Sequence, residues 1–171
     1  MKKEISADSA RSAVDGKNPT AWDKAVKLLA ARQRTELELR KALAAFPASE
    51  VDSALARLKE LGYINDPRTA RARARTRVGQ GDAPSLAARK LLAQGISQAE
   101  ARAAAAEAAE GAGEDELAAR ALERRLRGRK PASEREKLRL LRALIAKGHR
   151  PSVAARALGM DWEGDDDQED S

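Results

Sequence analysis

Val51, Ala54, Leu55, Leu58 and Leu61 recur at the three- and four-residue spacing that lines one face of an α-helix. Leu39, Ala42, Leu43 and Phe46 form a second stripe of the same kind. Polar punctuation separates such segments. The prolines at 19, 47, 67, 84, 131 and 151 each precede or enter the first turn of a helical-period segment, where a missing N–H costs little. Gly62, Gly79, Gly95, Gly111, Gly128, Gly148 and Gly159 each follow one, as helix-closing glycines do. Thr35 with Glu38, Ser97 with Glu100 and Ser133 with Glu136 have capping-box spacing, and Asp66–Pro67 reads as N-cap and first helical position. The pattern predicts nine helices, over 20–32, 35–45, 49–61, 66–78, 83–94, 97–110, 114–127, 132–147 and 151–158.

The nine fall into three sets of three. Each middle helix ends alike, in LRKALAAF at 39–46, ARKLLAQG at 88–95 and LRALIAKG at 141–148, which makes Leu43, Leu92 and Ile145 equivalent. The expected organisation is an N-terminal disordered extension over 1–18, helical repeats over 19–64, 65–111 and 112–159, and a disordered acidic tail over 160–171. Residues 66–110 carry Val78, Leu86, Leu91, Leu92 and Ile96 against fifteen alanines. A thin core with close helix packing, and low stability in isolation, is expected there.

Composition agrees with an all-α fold. Among 171 residues only Trp22, Phe46, Tyr63 and Trp162 are aromatic, while leucine, alanine and arginine dominate. There is no cysteine, which excludes disulfides and thiolate metal sites. The one histidine, His149, falls in a turn, as a surface residue that caps the eighth helix. No P-loop, zinc-protease signature or nucleophile elbow appears, so the chain reads as a non-enzyme without cofactor or metal. The first residues lack an apolar core for export, and no apolar run nears the roughly 20 residues of a membrane span. The expectation is a soluble cytoplasmic monomer.

Charge narrows the class of partner. The net charge of +6 hides an asymmetry, because seven acids lie between Asp161 and Asp170 and no Lys or Arg follows Arg156. Residues 1–160 hold all 33 Lys and Arg against 20 Asp and Glu, a net of +13. A basic body suits a polyanion or an acidic protein surface. Arg68, Arg71 and Arg75 share one helix face, with Arg73 and Arg77 on another. A second cluster comprises Arg120, Arg124, Arg125, Arg127, Arg129, Lys130, Lys137, Arg139 and Arg142. Residues 120–142 set ten basic residues against three acids, too many for pairing within the helix alone. No base-reading pattern appears, and Trp22 and Tyr63 read as core or joint residues rather than stacking platforms, so nucleic-acid contact would be electrostatic. The acidic tail could fold back on these arginines.

LLAARQRTELELRKAL at 28–43, LARLKELGYINDPRTARARARTR at 55–77 and ARKLLAQGIS at 88–97 resemble the RecX family, over about residues 20–158. The family pattern differs at Thr69, where an aromatic or apolar residue is usual, and in the middle repeat, where alanines replace larger residues. The resemblance implies an elongated, curved array of three three-helix repeats. It also implies a negative regulator of the RecA recombinase that lodges in the groove of the RecA–DNA filament and inhibits ATP hydrolysis and strand exchange. It implies further that Tyr63 and Ile64 plug the space between repeats. The basic clusters are the candidate contacts to RecA and to single- or double-stranded DNA. The alternative is a non-specific nucleic-acid-binding helical protein unrelated to RecA.

Overall fold

A computed structural model describes residues 19–164. Among these it contains nine helices and no strand: α1 (Ala21–Ala31), α2 (Glu36–Ala42), α3 (Ala48–Glu60), α4 (Asp66–Gly79), α5 (Pro84–Leu92), α6 (Gln98–Ala108), α7 (Glu114–Leu126), α8 (Glu134–Ile145) and α9 (Pro151–Ala157). The caps are local. The Thr35 hydroxyl accepts from the Glu38 N–H while Glu38 accepts from the Thr35 N–H, and Thr20 with Asp23 repeats that exchange. Ser97 and Ser133 accept from the Glu100 and Glu136 N–H groups. Each such cap is worth about 1 kcal/mol.

The principal helix-on-helix packing stays within the triplets α1–α3, α4–α6 and α7–α9. Three cores result, so the fold is three tandem three-helix repeats. The first holds Leu39, Leu43, Val51, Leu55, Leu58 and Ile64. The third holds Leu122, Leu126, Leu140, Leu141, Leu144 and Leu158. In the second, Leu91 and Ile96 are the only residues of the buried hydrophobic cluster larger than alanine. Small side chains there let α6 approach α4 and α5 closely. Each leucine missing from that core forgoes about 1.5–3 kcal/mol of burial.

Several local expectations are corrected. Leu43 is buried, but its proposed equivalents Leu92 and Ile145 are exposed. Leu91 and Leu144 take the core positions, because their carbonyls accept the closing hydrogen bonds from the Ile96 and His149 N–H groups, which turns the following residue outward. Gly79 lies inside α4, and Gly81 adopts the left-handed conformation, with φ of +88°. The cap of α4 is Asn65, whose side chain accepts from the Arg68 N–H. Asp66 instead reaches back 3.2 Å to accept from the Glu36 N–H of the first repeat. Burial raises the Asp66 carboxyl above its ordinary pKa, and the nearby Glu36 charge adds to this against the backbone hydrogen bond. Ile64 is buried, but Tyr63 is 65% exposed.

The joints between consecutive repeats are made alike. In each, the loop before the third helix of one repeat lies against the start of the middle helix of the repeat before it. The Gln94 carbonyl accepts from the Thr35 hydroxyl at 2.7 Å. The Lys147 carbonyl accepts from the Ala83 N–H at 2.7 Å. The next residue is glycine both times, and a Cβ there would stand 2.5 Å from the Leu37 Cβ at Gly95 and 2.6 Å from the Leu86 Cβ at Gly148. Thr35 and Ala83 occupy the N-cap positions of α2 and α5.

His149 belongs to the second joint, not to the surface, with only 2% of its area exposed. Its Nε2 lies 3.1 Å from the Gly81 carbonyl, which can only accept, so that nitrogen carries the proton. Nδ1 has no hydrogen-bond partner among the described residues.

Candidate polyanion interface

The buried face of α4 is Thr69, Ala70 and Ala74, which sends its arginines outward along different sides. Arg73 is not one of the exposed ones. Its side chain is 18% exposed and donates to Glu38 at 2.7 and 3.0 Å, to the Gln94 amide oxygen at 2.6 Å and to the Gln33 carbonyl at 3.1 Å. It clamps the first joint. The Glu38 carboxyl is held below its ordinary pKa, because the hydrogen bonds from Arg73 and Thr35 and the charges of Arg73 and Arg32 together outweigh its burial.

Arg77 is half-buried and lies 3.6 Å from Asp82. Asp82, 3% exposed, also accepts from Lys147 at 2.6 Å and Lys90 at 2.8 Å, so cations from the second and third repeats converge on one carboxylate. Burial opposes ionisation of Asp82, but the two lysines overcome it and leave the pKa below the ordinary value. Arg71 and Arg75 are exposed and share Glu107 on α6, at 3.5 and 2.6 Å. Arg68 is exposed and has no carboxylate partner among the described residues.

The second cluster divides similarly. Arg120 pairs with Glu116 at 2.6 Å, and Lys137 with Glu134 at 2.8 Å. Arg129 and Arg139 share Glu136, at 2.6 and 3.6 Å. Glu136 is pulled down to about 2 by the Arg129 hydrogen bond, and further by the Ala132 N–H. Arg124, Arg125, Arg127, Lys130 and Arg142 are exposed with no carboxylate partner among the described residues. Arg135 joins them. It is easily overlooked in the sequence, because it sits between Glu134 and Glu136, yet those acids pair with Lys137, Arg129 and Arg139.

The two clusters meet in space. Arg75 of α4 and Arg120 and Arg124 of α7 line one cleft with Val78, Gly81 and Leu117, and its three arginines outnumber the two acids in its lining, the buried Asp82 and the exposed Glu110. Gly81 permits the approach of α7, since a Cβ there would lie 3.0 Å from the Ala121 Cβ. Exposed ion pairs such as Arg75–Glu107 and Arg120–Glu116 are worth about 0–1 kcal/mol. Their arginines can therefore exchange a carboxylate for a phosphate at little cost, and the guanidinium fork suits both. Among the described residues no group of acidic or histidine side chains could hold a metal ion, and no helix is long and apolar enough to cross a membrane.

One surface eluded the sequence. Trp22, Val26, Leu29 and Tyr63 line an open apolar groove on the first repeat. The Arg57 guanidinium stands 4.8 Å from the centre of the Trp22 ring. The left-handed Gly62, with φ of +74°, is the local signal that Tyr63 turns outward while Ile64 turns in.

No family model matches the chain. Over 72 residues it is 39% identical to the regulatory protein RecX of Syntrophotalea carbinolica (strain DSM 2380 / NBRC 103641 / GraBd1). That match covers 40% of the chain and 47% of the relative, so it spans about half of the relative's length. Two crystal structures share the fold. One, of regulatory protein RecX, aligns over 81% of this chain and 70% of its own, with TM-score 0.57 and 24% identity. The other, of RecX from Lactobacillus salivarius, aligns over 81% and 92%, with TM-score 0.56 and 19% identity. The chain is thus similar to RecX in one segment of 72 residues, and it shares its three-repeat fold with two RecX structures.

Proposed function

We propose that this protein is a negative regulator of the RecA recombinase, which binds the RecA–DNA filament groove and inhibits ATP hydrolysis and strand exchange. The observation that carries the reading is the convergence of Arg75, Arg120 and Arg124 on one cleft between the second and third repeats. The similarity to RecX supplies the identity of the partner, and the arginines of the cleft supply a surface of the right charge. The protein acts by binding and not by catalysis, as a monomer in the cytoplasm. Its repeats over 19–64, 65–111 and 112–159 serve as the binding units.

Within the basic clusters, exposure supports Arg68, Arg71, Arg75, Arg120, Arg124, Arg125, Arg127, Arg129, Lys130, Arg139 and Arg142 as contacts. Lys137, half-buried, flanks them beside Glu134. Arg73 and Arg77 act from the joints. An array that touches several protomers gains affinity through effective concentration rather than one large interface. The test is RecA-catalysed ATP hydrolysis on single-stranded DNA with the pure protein added. Inhibition is expected, and no change at a several-fold excess over RecA would sink the proposal. Salt-sensitive DNA binding without any effect on RecA would favour the non-specific nucleic-acid-binding alternative.

A further inference from the structure

Two neighbouring surfaces meet at the end of α1. One is the open groove of Trp22, Val26, Leu29, Ala30, Leu58 and Tyr63, which encloses about 390 Å³ and has no charged side chain in its lining. Apolar surface is left uncovered there, with Val26 40% and Tyr63 65% exposed. Trp22 is held from behind. Arg57 stands 4.8 Å from its ring centre and lines with it a separate hollow beside Glu50 and Ser53, on the side away from the groove.

The other surface is a cleft at the first joint, of about 490 Å³, lined by Arg32, Arg73 and Arg77 with Glu38 as its one carboxylate. Glu38 is already engaged by Arg73 at 2.7 Å and by the Thr35 N–H at 3.2 Å. Arg32 lies 3.8 Å from it with 56% of its side chain exposed. Three guanidinium groups thus share one committed carboxylate, and the cleft attracts a further anion. Gln33 lines both surfaces, so groove and cleft are continuous.

Together they select a chemistry. An apolar cavity of about 150 Å³ already accommodates benzene, so the groove has room for a phenylalanine or leucine side chain. A nucleobase would carry polar edges against valine, leucine and alanine walls and leave them unpaired. Nucleic acid therefore offers the anion without the apolar anchor, whereas a polypeptide offers both. Val26 and Arg32 are about 9 Å apart along the helix at ~1.5 Å per residue. An extended peptide covers that distance in about three residues.

We propose that this composite surface of the first repeat binds an extended acidic segment of a partner protein. A phenylalanine or leucine of the segment sits between Trp22, Val26 and Tyr63, and a carboxylate about three residues away sits on Arg32. The surface is separate from the cleft of Arg75, Arg120 and Arg124, and the binding does not depend on RecA being the partner.

The probe is a short labelled peptide with one phenylalanine followed, after a short spacer, by a run of glutamates. It is added to the full chain carrying Trp162→Phe, in which Trp22 is the sole tryptophan and its emission reports the groove. The peptide should bind, and the Trp22 emission should shift over the same concentrations. Replacing its phenylalanine by alanine should weaken binding about tenfold or more. Replacing its glutamates by glutamine should weaken it several-fold at low salt and leave it unchanged at high salt.

In the protein, Val26→Asp and Tyr63→Ser alter exposed groove residues, and each should match the loss of the phenylalanine. If Val26→Asp lowers the melting temperature, Tyr63→Ser decides. Arg32→Glu should match the loss of the glutamates, while Arg102→Glu, the same charge reversal on an exposed position of α6, should bind as the parent does. No binding, or binding indifferent to Val26→Asp, Tyr63→Ser and Arg32→Glu, overturns the proposal. So does a Trp22 shift that labelled oligothymidylate produces at lower concentration than the peptide, which would make the groove a stacking platform for a single strand. Unchanged ATP hydrolysis by RecA counts against the proposed regulation alone, and the peptide still decides this surface.

Discussion

Gly148 stands so close to Leu86 that a Cβ on it would lie 2.6 Å from the Leu86 Cβ. Its φ of +84° compounds the restriction. Gly148→Ala therefore faces a left-handed penalty of about 1–2 kcal/mol, and an overlap that adds about 1–3 kcal/mol. Gly159→Ala, at φ of +64° with nothing within 4 Å, meets only the first. Urea denaturation midpoints of the two variants should separate accordingly. Equal losses would mean that the second joint gives way without cost.

Asp82 gathers Lys147, Lys90 and Arg77 while itself buried. Asp82→Ala leaves those cations facing one another, and a loss of about 3 kcal/mol is expected, at the low end for broken buried pairs because the cations retain some solvent. The loss should be largely recovered by adding Lys147→Met, which a double-mutant cycle measures.

The His149 imidazole is pushed below its ordinary pKa of 6.5 by burial, against the opposing pull of the Gly81 carbonyl, Glu114 and Asp82. Just below pH about 6.5 the unfolded chain therefore holds more protons than the folded one, and stability rises with pH. Acidification through that window should lower the unfolding free energy. His149→Gln, whose amide can still donate to Gly81, should flatten the profile between about pH 5.5 and 7.

Arg73 and Arg124 share a residue type but not a task. Arg73→Ala removes the clamp on Glu38 and Gln94 and should lower thermal stability. Arg124→Ala removes an exposed cation from the cleft and should leave stability within about 0.5 kcal/mol. If nucleic acid occupies the cleft, Arg124→Ala should also reduce the slope of log affinity against log salt by about one contact. Melting curves and salt titrations on both variants distinguish the roles.

Leu91 is the largest side chain at the centre of the alanine-lined core. Leu91→Ala should cost about 2–5 kcal/mol. Because little else holds that core, hydrogen exchange should show α4–α6 losing protection while the amides of α1–α3 keep theirs.

What was legible in the sequence was whatever is decided within a few residues. Thr35–Glu38, Ser97–Glu100 and Ser133–Glu136 are local exchanges, and the helix starts follow from them. The alanine content of 66–110 carried over directly into a thin core. What stayed hidden depends on partners far along the chain. Asp66 looked like a cap for its own helix but serves Glu36, 30 residues earlier. His149 looked like a turn residue because Gly81 is 68 positions away. The arginine clusters were visible, but not their division into paired and unpaired members. Glu107 and Glu38, which engage Arg75 and Arg73, lie on other helices.

The joints have a direction. Each is made by a loop of the later repeat on the middle helix of the earlier one, through Gln94 to Thr35 and through Lys147 to Ala83. The corresponding loop of the first repeat, at Ala44 and Ala45, is left exposed. The start of α8 in the third repeat, at Ser133, is exposed likewise among the described residues. The array thus runs in one sense, and no two-fold axis relates one direction along it to the other. A partner that is itself polar along its length can match it in one orientation and is mismatched in the reverse.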